Sequence, residues 1–394
     1  MTSAEGWRAN VRRVYIWKAL TSLHFFAGVM IPFFTQWGGI SLRQVLWLQT
    51  WFMVCIVVLE VPTGAMADRY GRRTSLICAT LCLISAVAYY VTHHGLANFM
   101  VAESLWACGA AFSSGADEAL TYDSLKAEGA AGASKAALAR LSTAEIMAIS
   151  CAAPIGSFVA YRCGLSAPLA LSLLPFSIAL PVALSLKEAP REHEERRDYW
   201  ETLTRGAKYF AGHGILRTLA FDSITIRCFS MMIIWLYQPR LKELGVPLIW
   251  FGFVIAGMTL FQSAVLLRIE SVERFVGGAR RYLALSALIP GLAYLALAFS
   301  SSPLLAAVLM VLISGVGMSR SAILNNYMHK HVDSSRRATV LSAFGMTRQL
   351  FIASMYPIVG WAAEKSLTWT FAGLGASVLV CAAASSVEDA HLLD

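Results

Sequence analysis

Charged residues make up only 14% of this 394-residue sequence, whereas an average soluble domain contains about a quarter. Apolar residues make up 57%. A soluble fold of this length could bury a large core, but it would still need a charged surface. The scarcity of charge therefore argues against an ordinary soluble protein and predicts that most of the surface faces lipid.

Several functional signatures are also missing. No zinc-finger or RNA-binding pattern is present, and the cations behind the net charge of +8 lie in short clusters between apolar runs, so we predict no nucleic acid partner. There is no Gly-x-x-x-x-Gly-Lys loop for ATP, and no H-E-x-x-H or G-x-S-x-G. The pair His93-His94 has no acidic ligand near it in the sequence. These absences argue against an ATP-driven pump and against a membrane enzyme.

The eight cysteines include no C-x-x-C pair, and most lie inside apolar runs. We interpret them as small packing residues and predict no metal and no cofactor. The basic start of the chain, residues 1–13, leads into an apolar run that is too long for a cleaved secretory signal. That run is interpreted as a first membrane span.

Long apolar runs are abundant, and a membrane-spanning helix needs about 20 such residues. We predict an all-α membrane protein with twelve transmembrane helices in two pseudo-symmetric six-helix bundles. The predicted spans are 14–37, 43–67, 74–93, 97–122, 137–161, 166–186, 215–239, 246–268, 282–300, 303–327, 338–361 and 367–387.

The distribution of Lys and Arg predicts the orientation. Of 32 cations, twenty-three lie in or beside the N-terminus and the even-to-odd connections, and five lie on the opposite side. The positive-inside rule then places both termini in the cytoplasm. Short loops and termini suggest a bacterial inner membrane protein, which we expect to be a monomer.

The two halves are separated by the stretch that is richest in charge. We predict a six-helix bundle in 1–187, a cytoplasmic linker with a possible interfacial helix in 188–214, and a second bundle in 215–394. The second six spans begin about 200 residues after the first six, as in the internal repeats of many transporters.

The connection after the second span reads GAMADRYGRR, residues 64–73. It resembles the loop signature G-x-x-x-D-R-x-G-R-R of the major facilitator superfamily, at the same place between spans two and three. Gly64 would allow a close helix approach and Gly71 a tight turn, while Asp68 would suit a neighbouring helix N-terminus. A degraded copy follows span eight, in residues 273–281. The signature residues present here are Gly64, Asp68, Arg69, Gly71, Arg72 and Arg73.

The resemblance implies a twelve-helix secondary transporter that works by alternating access. It also implies that the signature docks on span eleven and locks the outward-open state. Asp123, at the cytoplasmic end of span four, is the predicted partner of Arg69, Arg72 or Arg73. Two antiporter patterns are weak: span four has Glu103 but no arginine, and span five has Ala153-Pro154 in place of Gly-Pro.

Ionisable residues inside spans are costly and are candidates for function. The first half supplies acids, which can become neutral when they are desolvated and so could couple transport to protons. These candidates for proton coupling are Glu60, Glu103, Asp117, Glu118 and Glu145. Each also has a structural alternative, such as an interhelical hydrogen bond for Glu60 or a place in the lock for Glu118.

The second half supplies arginines. Arg348 lies about 15 Å into span eleven and Arg227 about 18 Å into span seven, near the midplane where transporters bind substrates. Arg320 lies about 10 Å from the cytoplasmic end of span ten, where it could serve as a gate. The candidates for substrate binding are Arg227, Arg348, His24, Asp222 and Arg320, although a lone histidine such as His24 is more often a packed polar residue.

The sequence therefore predicts a proton-coupled secondary transporter whose partners are protons, the lipid bilayer and a small organic solute that is anionic or carries a carboxylate. The alternative within this class is proton-driven efflux of lipophilic drugs or other amphiphiles. The alternative from another class is a nontransporting membrane sensor on the same fold.

Overall fold

The computed structural model describes residues 4–189, 212–332 and 337–385. Every regular element in these residues is a helix, and the prediction of an all-α membrane fold is confirmed. Residues 190–211 of the predicted linker, including its possible interfacial helix, lie outside the described residues.

The described residues of the first half contain seven α-helices of more than ten residues. They are α1 (Ala4–Thr21), α2 (Leu42–Tyr70), α3 (Arg72–Thr92), α4 (Leu96–Ser113), α5 (Ala116–Ala127), α6 (Ser134–Cys163) and α7 (Ala167–Ser185). Between α1 and α2 the chain forms short helical turns at Phe25–Gly28, Met30–Pro32 and Phe33–Trp37.

Two of the predicted spans in this half are broken. The first bends by 67° between Trp7–Gly28 and Met30–Trp37. The fourth is interrupted at Gly115, whose φ of +71° is open mainly to glycine. The interruption starts a new helix, α5, and places Asp117 and Glu118 in its first turn.

The second half, within the described residues, contains eight α-helices. They are α8 (Gly214–Met231), α9 (Ile233–Glu243), α10 (Phe251–Leu267), α11 (Ile269–Val276), α12 (Ala279–Phe299), α13 (Pro303–Lys330), α14 (Arg337–Lys365) and α15 (Leu367–Ala383).

Each predicted span coincides with a helix or with consecutive helical segments. By length and composition, eight helical segments of the described chain could cross a membrane, or nine if the bent first pair is one span. Leu367–Ala383 is a shorter apolar helix. The chain is an integral membrane protein built on the predicted repeat.

The chain divides into two compact units, Met1–Glu195 with Leu248–Ala256, and Arg196–Pro247 with Gly257–Asp394. In the first unit, Trp17, Leu76, Leu120, Leu141 and Ala179 belong to one buried apolar cluster. In the second, α12 packs against α13 and α15, and α8 packs against α13. These packed helices hold the charged residues described next.

Candidate functional site

The loop signature forms a turn between α2 and α3. Gly71 has a φ of +103°, and a Cβ added there would lie 2.6 Å from Oε2 of Glu188. The Glu188 carboxylate accepts hydrogen bonds from the backbone N–H groups of Arg72 and Arg73, each 2.8 Å long. Glycine is thus required at position 71 both by the backbone and by the carboxylate that caps α3.

The side chains of the two arginines tie the same turn to other helices of the first unit. Arg72 forms an ion pair with Asp123 of α5, and Arg73 donates a 2.7 Å hydrogen bond to the carbonyl oxygen of Leu184. Arg72 is one of the three predicted partners of Asp123. The end of α2, the start of α3, α5 and the end of α7 are therefore joined by one polar network.

The remaining signature residues behave differently. A Cβ added at Gly64 would meet no atom within 4 Å, so the close helix approach predicted at this glycine is not seen in the described chain. The guanidinium of Arg69 lies 5.2 Å from the centre of the Tyr70 ring. The network thus depends on Gly71, Arg72 and Arg73 rather than on Gly64.

Lys18 brings together two of the five candidate acids. Its ammonium lies 3.1 Å from Oδ2 of Asp117 and 3.0 Å from Oε2 of Glu145. The three side chains come from α1, α5 and α6, which pack on one another in the first unit. Sequence reasoning missed Lys18 because it was counted only as a cation at the cytoplasmic end of a span.

Glu103 lies apart from this cluster. It is buried on α4, and its Oε1 accepts a 3.2 Å hydrogen bond from the side-chain amide of Gln49 on α2. The hydroxyl of Tyr90, on α3, also bonds to Glu103. A carboxyl group enclosed by an amide and a phenol fits the interhelical hydrogen-bonding role at least as well as a proton-carrying one.

The other candidates in the first unit are scattered. Glu60 is half-buried on α2, and Glu118 is exposed on α5. His24 stacks on Phe26 and meets Trp106 and Phe176 edge-on, with ring centres 5.2, 5.6 and 6.2 Å apart. Its Nε2 lies 3.1 Å from the carbonyl oxygen of Thr21, so His24 sits in an aromatic cluster.

In the second unit, Arg320 is neutralised. Its guanidinium forms an ion pair with Asp222, and both side chains are at least 97% buried. The guanidinium also donates to the carbonyl oxygen of Leu283 and, over 2.8 Å, to the hydroxyl of Ser286. The structure thus joins two predicted substrate ligands to each other, which favours a structural role for both.

Arg227 has no such counter-ion. Its Nη1 donates a 2.5 Å hydrogen bond to the hydroxyl of Ser321, and the charge acting on it most strongly is that of Arg348. Within the described part of the chain, no carboxylate pairs with Arg227 or Arg348. The positive charge of these two guanidinium groups is therefore not balanced by a carboxylate among the described residues.

Unused hydrogen-bonding atoms accompany these arginines. Nε of Arg227 and the hydroxyl of Ser223, one turn earlier on α8, are buried without a partner. The side-chain oxygens of Asn325, on α13, and Gln349, on α14, are also buried without a hydrogen-bond partner. Buried polar atoms normally find partners, so these helices carry binding capacity that the described contacts leave unfilled.

The described residues contain no group of three His, Cys, Asp or Glu side chains that could hold a metal ion. The chemistry available in these helices is therefore hydrogen bonding and charge.

Comparison with known proteins identifies the family. The family model of the Major Facilitator Superfamily matches residues 19–357. The chain therefore belongs to that superfamily. It is a transporter and not an enzyme. No curated protein sequence matches it.

Several solved structures have the same fold as this chain, although their sequences are only 11–14% identical to it. A structure of the nucleoside transporter NupG has a TM-score of 0.76 at 12% identity and covers 98% of this chain and 99% of its own. The POT family transporter PepTSo has a TM-score of 0.73 at 11% identity, with 96% and 97% covered. A D-xylose-proton symporter has a TM-score of 0.70 at 14% identity, with 95% and 96% covered.

Proposed function

We propose that this transporter is a secondary active carrier for a small organic anion and that it couples transport to protons. The observation that carries the substrate class is the uncompensated pair Arg227 and Arg348. An arginine within a membrane span needs a counter-ion or an anionic ligand. Arg320 has a counter-ion of its own, Asp222, whereas Arg227 and Arg348 have none among the described residues.

Proton coupling is the second part of the proposal. The candidate acids lie in the first unit, whereas the unpaired arginines lie in the second. The D-xylose-proton symporter among the similar structures is named as proton-coupled, which supports a coupled mechanism for a chain of the same fold. The proposed setting is a bacterial inner membrane, with both termini in the cytoplasm and a monomeric carrier.

The network at Gly71, Arg72, Asp123 and Glu188 is proposed to act as the conformational lock. It holds the ends of helices in the first unit together through charge rather than through apolar packing. Docking of the signature, including Asp68, on span eleven stays a prediction.

Thermal stabilisation of the purified protein tests the substrate class. Mono- and dicarboxylates, phosphate monoesters and sulfonates would be compared with neutral sugars and organic cations. We expect anions alone to raise the melting temperature, because binding to the folded state stabilises it. Stabilisation by lipophilic cations without anions would instead favour drug efflux.

Matched variants connect that result to the site. Arg227→Gln and Arg348→Gln should lose the stabilisation by the anion, whereas Arg217→Gln, which removes an exposed cation at the start of α8, should keep it. Counterflow of the stabilising anion in proteoliposomes then separates a carrier from a sensor, because a sensor would bind the anion without exchanging it.

A further inference from the structure

Which of the candidate acids carries the coupling proton follows from the cluster around Lys18. Asp117, Glu145 and Lys18 together carry two negative charges and one positive charge when all three are ionised. The cluster is therefore one proton short of neutrality. A charged group is costly in a bilayer, so a neutral cluster is the form that can be enclosed during a transport cycle.

The oxygens of Asp117 are both occupied. Oδ2 lies 3.1 Å from the ammonium of Lys18, and Oδ1 accepts a 2.8 Å hydrogen bond from the backbone N–H of Glu118. Asp117 also lies in the first turn of α5, where the helix dipole favours a carboxylate. Its side chain is only 6% exposed, so these polar contacts take the place of water around the carboxylate.

Glu145 shares the contact with Lys18 but differs in its second oxygen, its exposure and its place on the helix. Its Oε2 lies 3.0 Å from the ammonium of Lys18, but Oε1 has no hydrogen-bond partner among the described residues. Its side chain is 43% exposed, and it lies in the middle of α6 rather than at a helix N-terminus. One oxygen of Glu145 is thus free to take a proton while Lys18 stays bound to Asp117.

The surroundings of Glu145 contain few other charges. Among the described residues packed against α6, Lys18 of α1 pairs with Glu145, Asp117 of α5 shares that lysine, and His24 interacts with Glu145 electrostatically. Tyr15 of α1 also faces α6, where its hydroxyl donates to the carbonyl oxygen of Ala137. The segment Ala167–Ser185, which forms α7, contains no ionisable side chain.

We propose that Glu145 binds the coupling proton and that Lys18 and Asp117 form its fixed counter-charge. Protonation of Glu145 leaves a neutral cluster in which Lys18 and Asp117 remain paired. Deprotonation restores the second carboxylate contact of Lys18 and a net charge of −1. This inference rests on the proposed proton coupling and adds to it the residue that carries the proton and a limit of one proton per cluster.

Infrared difference spectroscopy of the purified protein in liposomes tests the assignment without a substrate, since the probe is the proton itself. A pH titration follows the carbonyl band of protonated carboxyl groups. We expect a band that is lost at every pH in Glu145→Gln. In Asp117→Asn the band should shift to lower pH, because Lys18 and Glu145 then balance each other and the ionised form of Glu145 is favoured. The control is Glu364→Gln, which removes an exposed carboxylate at the end of α14 and should leave the band unchanged.

Three further variants guard against a folding defect. Glu145→Asp keeps a carboxyl group and should keep a titrating band at a changed frequency. The double variant Lys18→Gln with Asp117→Asn again leaves one uncompensated acid, and we expect it to keep the Glu145 band. The double variant Lys18→Gln with Glu145→Gln should lack that band.

The outcomes separate this inference from the proposed function. A band that survives in Glu145→Gln and disappears in Asp117→Asn would assign the proton to Asp117 and overturn the inference. The same titration of the band in Asp117→Asn and in the unmodified protein would overturn it as well, because Asp117 would then not belong to the counter-charge. If no carboxyl band titrates in the unmodified protein, proton coupling by these acids fails, while the anion-binding tests at Arg227 and Arg348 stand independently.

Discussion

At the scale of single residues, the chain treats its intramembrane arginines in two ways. Arg320 is bound on several sides, by Asp222, Ser286 and the carbonyl oxygen of Leu283. Arg227 has one described hydrogen bond, to Ser321, and shares its surroundings with Arg348. The contrast separates an arginine that holds helices together from one that is available to a ligand.

The pairing of Arg320 with Asp222 leads to a stability prediction. Asp222→Asn should destabilise the protein by about 3 kcal/mol or more, because removing one partner leaves a buried charge uncompensated. Thermal unfolding in detergent would measure the loss. The double variant Asp222→Asn with Arg320→Gln should recover part of it, and a double variant no more stable than Asp222→Asn would argue against the ion pair as the cause.

Sequence reasoning identified most of these charged residues but not their pairings. Asp222 and Arg320 are 98 positions apart, and nothing in the hydropathy of either span specifies which side chain faces which. Lys18 was missed for a related reason, since a lysine one turn inside a span has the same sequence signature as one that snorkels to the interface. Pairing depends on helix rotation, which a single sequence does not report.

At the scale of helices, apolar runs predicted where the spans lie, but they did not predict where the spans break. The interruption at Gly115 depends on one backbone angle, while the hydropathy of residues 97–122 is continuous across it. The bend of the first span and the junction of α8 with α9 at Met232 are similar. Local dihedral choices of this kind leave little trace in a hydropathy pattern.

The turn between α2 and α3 gives the element-scale prediction. Gly71→Ala should destabilise the fold by roughly 1–3 kcal/mol from the positive-φ backbone alone, and by more because the new Cβ would contact the Glu188 carboxylate. Glu188→Ala should cost about 0.5–2 kcal/mol, the usual range for a lost N-terminal cap. Thermal unfolding of both variants would measure these changes.

The matched control for this turn is Gly95→Ala. Gly95 also has a positive φ, of +87°, but an added Cβ would meet no atom within 4 Å. It should therefore lose only the backbone contribution. Equal losses at Gly71 and Gly95 would show that the Glu188 carboxylate adds no constraint on position 71.

At the scale of the whole molecule, the two halves repeat one plan, and the repeat was visible in the sequence through the duplicated loop. The turn of the second copy again contains glycines with positive φ, Gly277 at +90° and Gly278 at +112°. The charges, however, have diverged between the halves. Two of the five candidate acids meet Lys18 in the first unit, while Arg227 and Arg348 lie in the second.

The last prediction concerns how the molecule lies in the membrane. The distribution of cations predicts that both termini are cytoplasmic. Six spans in the first half would then place the turn at Gly164, between α6 and α7, on the outer face. A fluorescent protein fused after Asp394 should therefore fluoresce, because it folds in the cytosol. Alkaline phosphatase inserted at Gly164 should be active, because it needs the oxidising exterior, and the same enzyme inserted at Gly129, between α5 and α6, should be inactive. Both glycines have a positive φ and open space around them, so the two insertions are matched in their demands on the fold.

The predicted orientation would be wrong if alkaline phosphatase were active when inserted at Gly129 and inactive when inserted at Gly164. That result would also place the Arg72 network and the Lys18 cluster near the outer face, where a proton would have to enter Glu145 from outside the cell.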